Sequence, residues 1–230
     1  MVCEQCEQLN ATLDEMEESI KKQSSHLYSQ EQKHVIDLLY DFESSKNGIF
    51  LWKSHALRSV NQESAKQEAL QSLDSQSVLF VIDWPMKFLQ MKYREKQSEW
   101  FAERGLSWHI SSVISKDQET QKAKVLSYAH ILYSCCQDWY AIVSILKNLF
   151  QNIKVNFPNV KQAFLRCDEA GCYPCNHLIA AVKDIEDRVG ITVARYDFSE
   201  PQQGKDVCDR VLGPMKAAIR KHIARKAMTS

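Results

Sequence analysis

The sequence predicts an α/β protein: a mixed five-stranded sheet with flanking helices, preceded by an N-terminal helical region. Three observations carry this expectation. The run Val78-Leu79-Phe80-Val81-Ile82 is apolar without interruption and closes on Asp83, the pattern of a strand buried on both faces. From Val160 onward strand-like and helix-like stretches alternate, which demands parallel pairing through helical crossovers. Before Val78 the apolar residues recur only at helical spacing.

Composition sets the outer bounds. The 230 residues are 44% hydrophobic and 25% charged, an ordinary globular balance with enough chain to bury a sizeable core. No apolar run approaches the roughly 18 residues of a membrane span, and the N-terminus is acidic rather than basic-then-apolar, so no membrane partner is expected. Eight cysteines without a secretory leader, two of them adjacent at Cys135-Cys136, predict reduced thiols in an intracellular protein. The net charge of zero gives no overall attraction to nucleic acid, but the distribution is uneven. Residues 1–20 carry six acids and no base, whereas residues 205–230 carry seven Lys or Arg against Asp206 and Asp209. Such a basic tail can pair with the acidic head or meet a phosphate backbone.

Residues 1–75 read as the helical region. Leu9, Leu13, Met16 and Ile20 form one narrow apolar stripe, and Val35, Leu38, Leu39 and Phe42 another within Glu31–Glu43. Ser44-Ser45-Lys46-Asn47-Gly48 is expected to break that helix before a third one, Ile49–Leu73. The region is expected to serve docking or association, including a homo-oligomer through its helices.

Residues 76–230 read as the core. Its first strand is Val78–Ile82, its second Phe88–Lys96 and its third Leu106–Ser115, with a hairpin at Glu103-Arg104-Gly105. After the polar loop Lys116–Lys122 a long helical stretch runs to the stop at Pro158-Asn159. Then come strand Val160–Cys167, helix Asn176–Arg188 ended by Gly190, strand Ile191–Tyr196 and helix Lys205–Ala227. The expected spatial order is 3-2-1-4-5, with the first and fourth strands parallel.

The acids fall where chemistry is expected. Asp83 and Asp168 close apolar strands, and Glu200, Asp206 and Asp209 bracket the start of the last helix. Ligands of open α/β sheets bind beyond the C-terminal strand ends, and hard oxygen donors grouped there suit Mg²⁺ or Mn²⁺. The plainer reading is that strand ends carry Asp because loops are polar. Asp206 and Asp209 lie three apart, so either can face the crevice. Cys172-x-x-Cys175-x-His177 has metal-ligand spacing, and Cys167 and Cys208 would approach it if the strands pair in this order. Cys3-x-x-Cys6 is at the opposite end of the chain, too far for a paired zinc motif, so structural zinc is not expected. His109 and His130 sit in apolar segments and read as core histidines, while Trp84 beside Asp83 is a candidate wall for a DNA groove.

The order of elements is that of the ribonuclease H-like fold, and several segments bring a family with it. Tyr196-Asp197-Phe198-Ser199-Glu200-Pro201-Gln202-Gln203-Gly204-Lys205-Asp206-Val207-Cys208-Asp209-Arg210 resembles transposon-derived proteins of animal genomes. Arg166-Cys167-Asp168-Glu169-Ala170-Gly171-Cys172-Tyr173 resembles their acidic-plus-glycine turn after the fourth strand. Ile82-Asp83-Trp84-Pro85-Met86-Lys87 is similar to their first acidic strand end, and Leu106-Ser107-Trp108-His109-Ile110 to their third strand. The resemblance spans residues 50–220, and the acid spacing is similar to that of DDE-type transposase and integrase cores. It implies two divalent ions acting on phosphodiester bonds, held by Asp83, Asp168 and Asp209. Asp209 is favoured as third acid because the Cys208-Asp209 step after Gly204-Lys205 belongs to the matching motif; Asp206 and Glu200 are the alternatives. It further implies Lys205 and Arg210 at DNA phosphates, DNA as partner and a nuclear location. With no recognisable DNA-binding module before the core, a truncated or domesticated copy is expected. A catalytically inactive DNA- or protein-binding derivative, or a ribonuclease H-like nuclease without strand transfer, are the other readings.

Overall fold

A computed structural model describes residues 3–24, 29–85, 87–88, 105–117, 119–133, 135–200 and 206–229. The chain divides into two compact units, residues 1–58 and 59–230. In the first, helix α1 (Glu4–Ser24) and the early turns of α2 (Ser29–Ser72) bury Leu13 and Val35. Lys46 of α2 bonds Asp14 at 3.0 Å and Glu17 at 2.9 Å on α1. Those two contacts sit inside the predicted break at 44–48, and α2 runs through it without interruption. A mid-helix glycine costs only about 1 kcal/mol, and a Cβ at Gly48 would meet nothing within 4 Å. Turn-forming residues here are outweighed by the pairing of the two helices.

The second unit is built on strands β1 (Ser77–Asp83), β2 (Ser107–Lys116), β3 (Ala123–Leu132), β4 (Gln162–Asp168) and β5 (Thr192–Ser199), in the spatial order β3-β2-β1-β4-β5. The first three pair antiparallel; β1–β4 and β4–β5 pair parallel, as the alternation of strand and helix requires. This is the ribonuclease H-like arrangement. Helix α3 (Trp139–Asn156) opens with Asp138 accepting the Ala141 N–H at 3.0 Å, the usual relief for an orphan first-turn donor. Helix α4 (Asn176–Val189) closes on Gly190 at φ 72°, a left-handed cap that glycine adopts without steric cost. Helix α5 (Val207–Thr229) follows β5.

Strand periodicity distributes β1 between two cores. Val78, Phe80 and Ile82 pack with Ile142, Leu146, Leu149 and Phe150 of α3 and Leu178 and Val182 of α4. Leu79 and Val81 pack on the other face with Ala69 of α2, Leu73 just after it, and Cys208 and Leu212 of α5. Burial on both faces is why β1 reads as an unbroken apolar run.

The middle of the chain departs from expectation. Residues 123–132, expected to be helical, form β3, and helix begins only at Trp139. The run pairs with β2 over ten residue pairs, from Ser107↔Leu132 to Lys116↔Ala123. Its Ala, Leu and Lys residues favour helix locally, but a complete ladder with a neighbouring strand decides the outcome. The predicted spatial order therefore holds with different occupants: β2 and β3 take the second and third places assigned to Phe88–Lys96 and Leu106–Ser115. Phe88 itself forms an antiparallel bridge with Leu106, and residues 89–96 lie outside the described residues.

Candidate functional site

The β1–β4 register pairs Val81 with Arg166. Two residues further along the same register, Asp83 and Asp168 end neighbouring parallel strands. Leu79 and Val81 face α5, so Asp83 points to that side as well. A cavity of about 760 Å³ opens there, lined by Asp83, Asp168 and Asp209 together with Asp206 and Glu200. The five candidate acids thus share one cavity, beyond the C-terminal ends of the parallel strands where such sheets bind ligands.

The five are not equivalent. Burial, then the charges of Asp168 and Asp209, raise the Asp83 carboxyl to about 6. Ala170 N–H donates to Asp168 Oδ1 at 3.1 Å, fixing the loop that leaves β4. Asp206 stands immediately before α5 rather than on it. Burial pushes its carboxyl up, but Lys66 at 2.8 Å, the Val207 N–H at 2.6 Å and Arg166 outweigh this and hold it below the usual range. Glu200 is 5% exposed just after β5, with its N–H donated to Gln62 Oε1 at 2.7 Å. Asp209 lies in the first turn of α5 and is felt by Asp83. Lys205 lies outside the described residues; Arg210 is exposed and is not among the residues lining the cavity.

Three cations in the cavity were not anticipated: Lys66 of α2, Arg166 of β4 and Lys216 of α5. Lys216 lies over the Trp108 ring at 5.6 Å and helps to hold the Asp83 carboxyl down. Arg166 carried a legible signal, a charge within the apolar run Ala163–Cys167, two residues before Asp168 and hence on its face. Lys66 carried none, since it sits in a polar helix far away in sequence.

The donor set is all oxygen, and the burden on Asp83 is the kind that a divalent cation relieves, so the residues fit Mg²⁺ or Mn²⁺. Among the described residues no three His, Cys, Asp or Glu side chains stand close enough to hold an ion as placed.

Behind Asp83 lies a buried polar cluster. His109 meets Tyr173 Oη at 3.1 Å and Ser111 Oγ at 3.2 Å, and Trp84 packs edge-on against its ring. Burial, with His130 nearby, pushes His109 down to about 3, so it is a neutral core histidine. Trp84 also lines the cavity. Cys208, expected near the Cys172–Cys175–His177 group, lies across the sheet from it, donating to Val81 O at 3.2 Å. Cys208 belongs to α5 on one face of the sheet, while the pleat of β4 turns Cys167 to the other, where it packs with Cys172 and Cys175 on the α3–α4 side.

Cys175 precedes the first turn of α4 and contacts His177 Nδ1 at 3.4 Å. His177 and the first-turn N–H groups favour its thiolate and hold it below the ordinary range, while burial raises Cys172 and Cys167. Iodoacetamide at neutral pH is therefore expected to alkylate Cys175 well before Cys172 or Cys167. Peptide mass spectrometry over a time course checks this, and equal rates would contradict it.

Comparison with known proteins adds a family. Residues 62–230 match the model of a family described as a domain of unknown function, DUF8701, and the chain belongs to that family. No curated protein matches the sequence. Among solved structures, Thermus thermophilus RuvC is similar at 13% identity over 54% of this chain, with TM-score 0.29. The Mos1 mariner paired-end complex with Mn is similar at 13% identity over 61% of this chain, with TM-score 0.35. The Mos1 transposase paired-end complex with the left transposon end is similar at 12% identity over 77% of this chain, also with TM-score 0.35. The chain spans 62% of the RuvC chain and 42% and 57% of the two Mos1 chains. No helix among the described residues is long and apolar enough to cross a membrane.

Proposed function

We propose that this member of the DUF8701 family is a transposon-derived DDE-type core that acts on phosphodiester bonds of DNA with divalent metal. The observation that carries the reading is the convergence of Asp83 and Asp168, from adjacent parallel strand ends, with Asp209 of the last helix in one cavity. The influence of the Asp168 and Asp209 charges on the Asp83 carboxyl supports the three acting together. The engagement of Asp206 by Lys66 supports Asp209 as the third acid.

In this reading Asp83, Asp168 and Asp209 would hold Mg²⁺ or Mn²⁺, which would supply activation of water or a DNA 3′-hydroxyl and stabilisation of the leaving oxygen. The chain's own part is positional. Asp83 is fixed by the central, doubly buried strand, and Asp168 by its loop bond to Ala170. Trp84 forms a rigid apolar wall beside Asp83, backed by His109. Lys216 brings positive charge next to the reacting centre. DNA is the partner this chemistry requires, and the nucleus its expected place. Exposed Ile36, Tyr40 and Trp52 support self-association through residues 1–58.

Nicking of supercoiled plasmid with Mn²⁺ tests the proposal. The unaltered protein should nick, Asp168→Asn and Asp209→Asn should each lose at least about a hundredfold, and Asp206→Asn should retain nicking. Metal-independent nicking, or loss with Asp206→Asn but not Asp209→Asn, would overturn the assignment. Duplex binding without nicking by the unaltered protein would favour an inactive binding derivative.

A further inference from the structure

Two of the three cavity cations, Lys66 and Arg166, have no role in the metal site. Arg166 is 3% exposed, a charged side chain withdrawn almost entirely from water. Its Nη1 donates to Gln62 O at 2.8 Å, but its buried Nε has no hydrogen-bond partner among the described residues. The nearest carboxylate oxygen, Asp206 Oδ2, is 3.9 Å away, close enough to neutralise charge but too far to accept the proton. A buried donor left without an acceptor is costly, and burying a guanidinium to leave one idle calls for an explanation. Lys66, 17% exposed, points both of its short contacts at Asp206, at 2.8 Å to each oxygen. Asp206 in turn accepts the Val207 N–H at the start of α5, a helix of 23 residues. One carboxylate therefore sits where an ammonium, a guanidinium and a helix N-terminus meet. Those are the three groups that proteins use to hold phosphate.

We propose that Lys66, Arg166 and the N-terminus of α5 form a phosphate-binding subsite whose resting occupant is the Asp206 carboxylate, and that a DNA backbone phosphate takes its place. A backbone phosphodiester has two non-bridging oxygens, as a carboxylate does, but it is not tethered to the chain beside Val207, so one oxygen can reach the Nε of Arg166 while the other meets Lys66. The subsite shares the cavity with Asp83 and Asp168, so a backbone held there presents a neighbouring phosphodiester to the acids. The inference deepens the reading of the cavity as a DNA site and rests on it. It also gives Asp206 a function distinct from metal ligation, namely that of an internal competitor.

Competition sets the sign of the test. Equilibrium binding of a fluorescent oligonucleotide duplex is measured at several salt concentrations, with Ca²⁺ present, for the full chain and its variants. Asp206→Asn removes the competitor and should bind about fivefold more tightly than the unaltered protein. Glu63→Gln makes the same charge change at another cavity-lining carboxylate, one that accepts from Gln67 Nε2 at 2.8 Å, and should gain clearly less. Lys66→Gln should weaken binding and lower the slope of log affinity against log salt by about one, the signature of a lost phosphate contact. Adding Lys66→Gln to Asp206→Asn should cancel the gain. Thermal unfolding identifies any variant that fails to fold, and Lys66→Gln and Asp206→Asn change affinity in opposite directions, which a common folding defect cannot produce. A gain with Asp206→Asn no larger than with Glu63→Gln, or an unchanged salt slope with Lys66→Gln, would overturn the subsite while leaving duplex binding and the metal reading intact. Inorganic phosphate is run as a separate arm: stabilisation of Asp206→Asn by phosphate without any gain in duplex affinity would overturn a nucleic-acid occupant. Absence of duplex binding in every protein, together with no response to Mn²⁺, would instead remove the DNA reading itself.

Discussion

Asp83→Asn should make the metal-free protein more stable at neutral pH, by on the order of 2–3 kcal/mol. The cause is that burial, and then the charges of Asp168 and Asp209, raise the folded-state carboxyl to about 6, against 3.8 for an ordinary aspartate. The folded protein thus holds a proton that the unfolded chain has already released. Between about pH 4 and pH 6 the native state binds more protons than the unfolded one, so stability falls as pH rises through this window. Below about pH 4 both states are protonated, and the aspartate and asparagine forms should be equally stable. Urea unfolding of the two proteins in chelator, at pH 4 and pH 7.5, measures this directly. A difference that is absent at pH 7.5, or one that favours the aspartate there, would mean that burial and the neighbouring carboxylates do not raise Asp83 in the folded protein.

Phe80→Ala should be the most damaging single change in the core, costing about 3–5 kcal/mol and lowering the unfolding midpoint by roughly 10 °C. Phe80 is wholly buried on the central strand and stacks on Phe150 of α3 with ring centroids 5.0 Å apart. Truncation would open a cavity between sheet and helix that neither element can collapse into without breaking its own pairing. Val155→Ala, on the same helix but 80% exposed, should change stability by no more than about 0.5 kcal/mol. Comparable losses for the two variants would show that the sheet does not organise the core in this way.

The parts of this fold that were legible in the sequence are those whose burial is complete or whose stop signal is local. β1 declares itself because both of its faces are covered, and α4 because Gly190 supplies the left-handed residue at its end. β3 did not, for a physical reason: it lies at the sheet edge with Val125, Leu126 and Ile131 exposed, so solvent does not impose an alternating pattern on it. What makes it a strand is the ladder with β2, which no short window of sequence contains. The continuity of α2 through residues 44–48 was hidden in the same way, because Lys46 finds its partners on another helix.

The site divides similarly. Asp83 and Asp168 could be picked out as strand-terminal acids, and the parallel register sets them side by side. Asp206 and Asp209 could not be separated by helical spacing alone. They are distinguished by Lys66, 140 residues away in the chain, which engages Asp206 and leaves Asp209 among the neighbours of Asp83. Arg166 was visible as a charge in an apolar strand, but what it faces depends on where α2 and α5 come to rest.

In the proposed site Asp83, Asp168 and Asp209 would together hold a divalent metal. Calorimetric titration of Mn²⁺ into the unaltered protein and into Asp83→Asn at neutral pH tests this most directly. Saturable binding by the unaltered protein, weakened at least about tenfold by Asp83→Asn, is the predicted result; no binding, or equal binding by both proteins, would contradict it.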